Sequence, residues 1–300
     1  MSSNILEHKI DFSVVIGVKN ANPNGDPLDG NRPRVNADGF GEITDVAIKR
    51  KIRNRWQDMH KPVLVLMEER VKDGVMNIRD RVKQSEAVRD AIALQKDDKS
   101  HWRDAFYNAA CASWLDVRAF GQVMPFSASK KLKDGLDGVS IGIRGPVSIQ
   151  SAYSVNPINI KEEQITKSIN LEPGSEGKAS DTMGTKASVP FAAYKFNGSI
   201  NVEQAEKTGF TEDDAADLKE ALKTLFVNDS SAARPEGSMA VLKLVWWEHG
   251  SKLGKFAPYI MHDLTTVEVP EKAQNFNEIK ITVNDPSDMT GIHKTVTDGY

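Results

Sequence analysis

The sequence is poor in cysteine and has no long apolar run. Its single cysteine, Cys111, excludes an intramolecular disulfide and a thiolate cluster for zinc or iron, as is typical of a reducing compartment. No window approaches the roughly 18 uninterrupted apolar residues of a membrane span. Residues 1–9 also lack the cationic start and apolar stretch of a secretion signal. We therefore expect a cytoplasmic protein with no membrane partner.

The charge balance excludes proteins that bind nucleic acid through bulk positive charge. The chain has 300 residues, of which 39% are hydrophobic and 27% are charged, an ordinary composition for a folded protein. Lys and Arg total 39 against 42 Asp and Glu, which gives a formal net charge of −3. Any nucleic-acid site must therefore be a local patch.

The common catalytic signatures are also missing. The chain has no GK[ST] phosphate loop, no HExxH zinc motif and no GxSxG nucleophile elbow, and its six histidines are scattered. We therefore expect no metal and no cofactor. A catalytic group that is assembled only by folding stays open as an alternative.

The apolar patterns that are present predict an α+β protein. Residues 10–18 alternate in the manner of a strand with one buried face. The order of strands and helices forms two strand–helix–strand units around one sheet, which favours a ferredoxin-like sandwich with insertions. Further strands are predicted at 117–126, 139–150, 191–202, 239–247 and 279–283, helical segments at 75–115 and 211–226, and a projecting, mobile arm at 152–190.

A helix that is predicted to begin at Thr44 has the most marked charge pattern. Its buried stripe is Ile48, Ile52, Trp56 and Met59. Around that stripe, Lys49, Arg50 and Arg53 are expected on one exposed flank. Lys51 and Arg55 are expected on the other. Repulsion of about 0.2–0.5 kcal/mol per like-charged pair favours an outside anion such as a phosphate backbone. The alternative is a solvated face whose charge is balanced by acids elsewhere in the chain.

The residues 20–33, here called the Asn loop, allow three interpretations. Asp26 and Asp29 are possible metal ligands, but the loop lacks EF-hand spacing and a terminal Glu. Asn and Gly directly after a strand also expose amides and backbone N–H groups that suit phosphates and base edges. A plain turn remains the third interpretation. Charge is unevenly spread as well, since 118–150 is richer in cations and 201–229 in acids, which indicates a polarised surface or chance.

Six motifs occur in order along most of the chain. They are NANPNGDP at 20–27, TDVAIKRKIR at 44–53, DVRAFG at 116–121, GPVSIQS at 145–151, TMGTK at 182–186 and SAAR at 231–234. In this combination the chain resembles the backbone subunits of CRISPR Cascade complexes, in the RAMP superfamily, and is most similar to the type I-C branch. The resemblance implies a modified RNA-recognition fold in one elaborated domain. The palm would be 1–59, 116–151 and 191–300, the helical fingers 60–115, and the β-rich thumb 152–190.

The resemblance also implies a function. Such a subunit is non-catalytic, oligomerises head-to-tail along CRISPR RNA and displays the bases for pairing with a target DNA strand, beside other Cascade subunits. The aromatic signature of RNA-recognition folds is absent, which favours a sequence-independent grip on the backbone. Met183 would be a wedge against a base. The expected RNA-binding residues are Asn22, Asn24, Arg34, Lys49, Arg50, Lys51, Arg53, Arg55, Arg118, Gln122, Arg144, Met183, Lys186 and Arg234. The alternative is a RAMP-superfamily endoribonuclease that uses the loop residues Asp26, Asp29 or Asp38.

Overall fold

The computed structural model describes residues 4–96, 101–126, 136, 140–166 and 183–300. The described helices are α1 (Asp45–Asp58), α2 (Ile78–Gln84), α3 (Glu86–Ala93), α4 (Trp102–Ser113), α5 (Leu115–Phe120), α6 (Val202–Thr208), α7 (Glu212–Lys223) and α8 (Pro258–Asp263). The described strands are β1 (Ile10–Ala21), β2 (Gly25–Asp26), β3 (Arg32–Pro33), β4 (Phe40–Ile43), β5 (Gly121–Pro125), β6 (Ser140–Arg144), β7 (Val147–Ile149), β8 (Ala152–Pro157), β9 (Lys161–Thr166), β10 (Met183–Ile200), β11 (Met239–His249), β12 (Thr265–Glu268), β13 (Lys280–Val283) and β14 (Ile292–Thr297). No helix among them is long and apolar enough to cross a membrane.

The central sheet is antiparallel and has the strand order β14-β11-β1-β10-β8-β4, with β7 also paired to β10. Along the chain, α1 lies between β1 and β7–β8, and α7 lies between β10 and β11. The inner order β11-β1-β10-β7/β8 is the order of two interleaved strand–helix–strand units. The prediction of a ferredoxin-like α+β fold is therefore confirmed. The sequence patterns missed α6, α8, β12 and the edge strand β14.

The central strand β1 has two covered faces, so the prediction of a single buried face is wrong. On one face Phe12 and Val14 belong to the main core, which also contains the apolar residues of α1 and α7. The other face packs against α8 and a loop, and a Cβ on Gly17 would lie 2.7 Å from the Phe276 ring. Burial on both sides explains why the strand is almost continuously apolar.

The second face of the sheet holds a buried polar cluster around Asp11. This carboxylate is fully buried, accepts hydrogen bonds from Ser199 Oγ at 2.5 Å and His249 Nε2 at 2.9 Å, and lies 3.3 Å from Lys9 Nζ. Burial by itself would raise the pKa of Asp11, but these two hydrogen bonds and the Lys9 charge outweigh it, so the pKa lies below the ordinary 3.8. Nearby, His262 of α8 donates from Nε2 to the Gly198 carbonyl at 3.0 Å.

This cluster predicts a loss of stability in mild acid. Burial lowers the pKa of His262 below its ordinary 6.5, so the unfolded chain binds a proton more readily than the folded chain. The contribution of His262 is complete above pH 6.5 and is lost as the pH falls through the folded pKa. Asp11 adds a second loss below pH 3.8. Urea denaturation from about pH 7.5 to about pH 5 measures the first loss. His262→Gln, which keeps an amide donor, should flatten that slope, and an unchanged slope would refute the assignment to His262.

The helices α2, α3 and α4 form a second core and confirm the helical prediction for most of 75–115, of which 97–100 lie outside the described residues. Ser85 caps α3 by accepting the Val88 N–H at 3.4 Å. Buried residues of this core include Leu64, Val82, Val88, Trp102, Phe106, Trp114, Ile141 and Ile143.

Two strand predictions next to this core need correction. Residues 117–120 are helical, because they belong to α5. This helix ends at Phe120, before Gly121 with its φ of 77°, and β5 begins at Gly121. A Cβ at Gly121 would lie 2.2 Å from the Ile143 carbonyl oxygen, so this position suits glycine alone. The strand predicted at 139–150 is split between β6, which pairs with β5, and β7, which pairs with β10.

The arm also differs from its prediction. Ala152–Pro157 forms β8 of the central sheet, where it pairs with β4 and β10. β9 then pairs with the first six residues of β10, which continues without a break into the sheet. We call this pairing the arm hairpin. The strands on both sides of 158–160 are thus regularly paired, which the Pro- and Gly-rich composition of the arm did not predict. Residues 167–182 of the predicted arm lie outside the described residues.

Candidate nucleic-acid interface

The first helix begins as the sequence predicts. The Thr44 hydroxyl accepts the Ala47 N–H at 3.2 Å, and Asp45 places negative charge in the first turn. The buried stripe is Ile48, Ile52 and Trp56. This stripe packs in the main core and fixes the direction of every cation on α1.

One flank of α1 is not exposed, which corrects the prediction for Lys51 and Arg55. Lys51 is only 6% exposed, pairs with Asp229 and lies 5.4 Å from the Phe226 ring. Arg55 Nε donates to the Thr224 hydroxyl at 2.7 Å. Both side chains are therefore held by the segment that follows α7.

The other flank is largely paired as well. Arg53 Nε donates to a carboxylate oxygen of the buried Asp116 at 2.9 Å, and its guanidinium lies 5.2 Å from the Phe120 ring. Lys49 pairs with Asp45 at 3.0 Å. The repulsion within α1 is thus offset by acids of the same chain, as the alternative interpretation held, and does not by itself indicate an outside anion.

Among the described residues, the hydrogen-bond partner of Arg50 on α1 is a neutral group. Its Nη1 donates to the Val65 carbonyl at 2.8 Å. Burial and the neighbouring Arg53 lower the pKa of Arg50, although Asp116 opposes this shift. Burial also lowers the pKa of Lys51. An anion beside Arg50 would offset the cost of its desolvation.

A cleft of about 290 Å³ opens beside α1, and we call it the α1 cleft. Four of the predicted residues line it: Asn24, Arg50, Lys51 and Arg234. The sequence patterns missed several others: Asn54, Arg70, Asn228, Ser230 and Ser231. Four cations against the acids Glu69 and Asp229 give the cleft a net positive charge. Four segments that are separated in sequence therefore meet at one polar, basic site.

The Asn loop is fastened to α1 and to the 231–234 turn. Asn24 Oδ1 accepts the Thr44 N–H at 2.9 Å. Asn22 donates its backbone N–H to the Ala233 carbonyl at 2.9 Å and its side-chain amide to the Asn31 carbonyl at 2.6 Å. Its Oδ1 is buried without a partner among the described residues. Asn24 thus forms part of the wall of the cleft, and Asn22 ties the loop to the 231–234 turn.

Arg234 and Lys51 flank the same carboxylate. Arg234 Nε lies 3.4 Å from Asp229 Oδ2, and Lys51 pairs with the same oxygen. In the part of the chain that the structure describes, Arg234 Nε makes no hydrogen bond. Because a guanidinium carries five N–H donors, Arg234 keeps donors for a ligand.

The other predicted residues lie outside the lining of the α1 cleft. Arg118 donates two hydrogen bonds of 2.7 Å to the carboxylate of Asp214 and a third, of 3.2 Å, to the Cys111 carbonyl. Arg34 pairs with Asp26 at 3.1 Å. The remaining residues occupy two hairpins, with Gln122 and Arg144 on β5–β6 and Met183 and Lys186 on the arm hairpin. Met183 is 61% exposed at the start of β10.

The groups suggested for catalysis have other contacts. Asp26 accepts the Leu28 N–H at 3.0 Å and pairs with Arg34, whereas Asp29 and Asp38 are exposed. Among the described residues no group of three or more His, Cys, Asp or Glu side chains could hold a metal. Burial raises the pKa of Cys111 to about 12, which makes it a poor nucleophile.

Comparison with known proteins assigns the chain to a family. The family model of the CRISPR-associated protein Cas7 matches residues 8–284. The chain belongs to the Cas7 family. This confirms the predicted family, while the type I-C branch stays a prediction. A Cas7 protein of Haloferax volcanii is 30% identical over 214 residues, which is 68% of this chain and 60% of that protein. The match thus spans about three fifths of the relative's length.

Two solved structures are similar to this Cas7-family chain at low sequence identity. A chain of a "CRISPR RNA-guided surveillance complex, pre-nicking" is 12% identical, with a TM-score of 0.48 over 80% of this chain and 78% of that one. A chain of a "CRISPR RNA-guided surveillance complex" is 13% identical, with a TM-score of 0.40 over 80% of this chain and 68% of that one.

Proposed function

We propose that this Cas7-family chain is a non-catalytic backbone subunit that binds CRISPR RNA through phosphate contacts in the α1 cleft. The observation that carries the proposal is the convergence of Asn24, Arg50 and Arg234 from three distant segments on one basic cleft. Phosphodiester oxygens are acceptors only, and arginine forks suit them well. The family of the chain supports RNA as the ligand.

The cations of the cleft have different roles in this proposal. Arg50 and Arg234 keep free N–H donors and contact phosphate. Lys51 is buried against Phe226 and paired with Asp229, so it positions the 228–234 turn. Arg53 and Arg55 hold α1 to its neighbours in the same way.

Binding of this kind is independent of RNA sequence. RNA-recognition folds read bases by stacking them on aromatic residues of the central strands. Here the corresponding face of β1 and β10 carries mainly polar residues: Asp11, Ser13, Lys195, Asn197 and Ser199. Its aromatic residue, Phe191, is already stacked on Phe276, with the ring centroids 5.9 Å apart. A grip on the sugar–phosphate backbone leaves the base edges free to pair with a target DNA strand.

Assembly completes the proposal. The fingers (60–115), the thumb (152–190, with Met183 as a base wedge) and the palm of neighbouring copies contact one another head-to-tail along the RNA, beside other Cascade subunits in the cytoplasm. With a net charge of −3, one subunit binds RNA weakly, and contacts between copies supply cooperativity.

Coexpression with CRISPR RNA tests this function. The absorbance ratio at about 260 and 280 nm across a size-exclusion peak should show a large particle that retains RNA after a high-salt wash, because bound copies stabilise one another. Nuclease digestion should then leave fragments whose lengths differ by a constant footprint per subunit. A monomer of 33.1 kDa without nucleic acid would contradict the proposal.

A further inference from the structure

A second groove lies on the face of the central sheet opposite α1. β10 directs Tyr194 and Phe196 into the main core, so the alternating residues Lys195 and Asn197 face the other side. The groove has a volume of about 670 Å³, and β8, β10 and β12 contribute its walls. We call it the sheet-face groove; the side chains that matter here are Gln150, Ser151, Tyr153, Lys195, Asn197 and Thr265.

Lys195 supplies the positive charge of this groove. Its ammonium donates to the His262 carbonyl at 2.7 Å and the Thr265 carbonyl at 2.6 Å, at the end of α8. An ammonium has three donors, so one N–H remains for a ligand. Burial lowers the pKa of Lys195, and an anion in the groove would offset that penalty.

Hydroxyl groups add further donors. Thr265 is 1% exposed, and its hydroxyl has no partner within the described ranges. Such a buried hydroxyl is costly unless an acceptor reaches it. Ser151 Oγ accepts the Asp45 N–H at 3.3 Å and keeps its own proton for donation. The open hydrogen-bonding groups of the groove therefore call for an acceptor-rich, anionic ligand.

An aromatic side chain stands at the rim. Tyr153 is 46% exposed, and its hydroxyl lies 3.5 Å from a carboxylate oxygen of Glu42. An exposed ring beside phosphate-binding donors is the combination that single-stranded nucleic acids require, because a base stacks on the ring while the backbone follows the donors. A peptide carboxylate would use the donors but would not need the ring.

We infer that the sheet-face groove binds a second segment of single-stranded nucleic acid, with a phosphate at Lys195, Ser151 and Thr265 and a base stacked on Tyr153. A volume of about 670 Å³ is ample for a nucleotide. The inference rests on the proposed RNA-binding function for the class of ligand. It adds a separate site, because the central sheet lies between this groove and the α1 cleft.

Binding of a fluorescent oligouridylate of about five nucleotides to the full chain tests the inference. The measurement is made by anisotropy in the Arg50→Gln/Arg234→Gln background, in which the α1 cleft is weakened. Tyr153→Ala should weaken the remaining binding about tenfold, the effect of losing one stacked base. Tyr259→Ala, which removes a 67% exposed tyrosine outside the groove, is the matched control and should change nothing. A thiouridine probe on the unaltered chain should cross-link to peptides from 150–155 or 265–267.

The outcomes separate the two proposals. If Tyr153→Ala changed the affinity of the Arg50→Gln/Arg234→Gln variant by less than about twofold, the change would be too small for a lost stacked base. The proposal for the sheet-face groove would then be wrong, and the proposal for the α1 cleft would stand. An acidic peptide that displaces the oligonucleotide equally well would also overturn it, because the groove would then recognise protein carboxylates. If the unaltered chain bound no oligonucleotide, the proposed function itself would fail. Lys195→Gln, with its fold checked by circular dichroism, should likewise weaken binding and reduce the salt dependence.

Discussion

Replacing Asp116 by alanine is expected to lower the free energy of unfolding by about 3–5 kcal/mol, the usual effect of leaving a buried charge without its partner. Asp116 is 1% exposed and accepts the backbone N–H groups of Leu64 at 2.8 Å and Val65 at 3.2 Å. The same carboxylate accepts from Arg53 Nε at 2.9 Å. One substitution therefore leaves two backbone donors and one guanidinium unpaired, and it loosens the α2–α4 core from α1.

Urea denaturation followed by tryptophan fluorescence measures this loss, because Trp56 and Trp114 lie in the two cores that Asp116 connects. Asp116→Asn keeps one acceptor oxygen, so its free energy of unfolding should fall clearly less than that of Asp116→Ala. Glu163→Ala removes an exposed carboxylate whose partner is Lys161 on the arm hairpin, and it should leave the denaturation midpoint unchanged. An Asp116→Ala midpoint equal to that of the unaltered chain would show that the carboxylate does not hold the two cores together.

Local periodicity predicted the elements of this fold where one face decides burial. The stripe of α1 and the helix predicted at 211–226, which the structure has as α7, both follow from patterns within about four residues, the range over which helix neighbours interact. Strand prediction failed at Val117–Phe120, where alternation fits a short helix equally well. What distinguishes the two is Gly121, whose positive φ and close approach to Ile143 depend on a partner strand more than 20 residues away.

The charges of α1 show why the site was only partly predictable. Inspection of 46–57 finds no acid that could balance the five cations, yet the structure supplies Asp116 and Asp229 from far along the chain. Sequence spacing gives the direction of a side chain but not what covers it. The same limit hid Arg70, which donates to Asp58 at 2.8 Å and lines the α1 cleft although no motif surrounds it. Arg234, which also lines the cleft, was expected to bind RNA only from the family resemblance, because spacing alone gives no reason to choose it.

The double substitution Arg50→Gln/Arg234→Gln is expected to reduce affinity for single-stranded RNA about 100-fold at constant salt. Each guanidinium that meets a phosphate contributes about 1.5–3 kcal/mol, and about 1.4 kcal/mol is a tenfold change in affinity. Neither substitution leaves a carboxylate without a cation, because Arg50 donates to a carbonyl and Asp229 keeps Lys51 when Arg234 is removed. The fold should therefore survive, unlike in an Arg53 variant.

Salt titration distinguishes lost phosphate contacts from a change in overall charge. Removing two contacts should reduce the slope of log affinity against log salt by about 1.4, since each contact to a single strand contributes about 0.7. Lys72→Gln/Lys207→Gln is the matched control, because it removes the same charge from exposed positions outside the cleft. If both double variants lost the same affinity and the same slope, RNA would respond only to net charge, and the α1 cleft would not be its binding site. A loss confined to the cleft variant assigns the phosphate path to the junction of the Asn loop, α1 and the 231–234 turn, whose geometry depends on the Lys51–Asp229 pair.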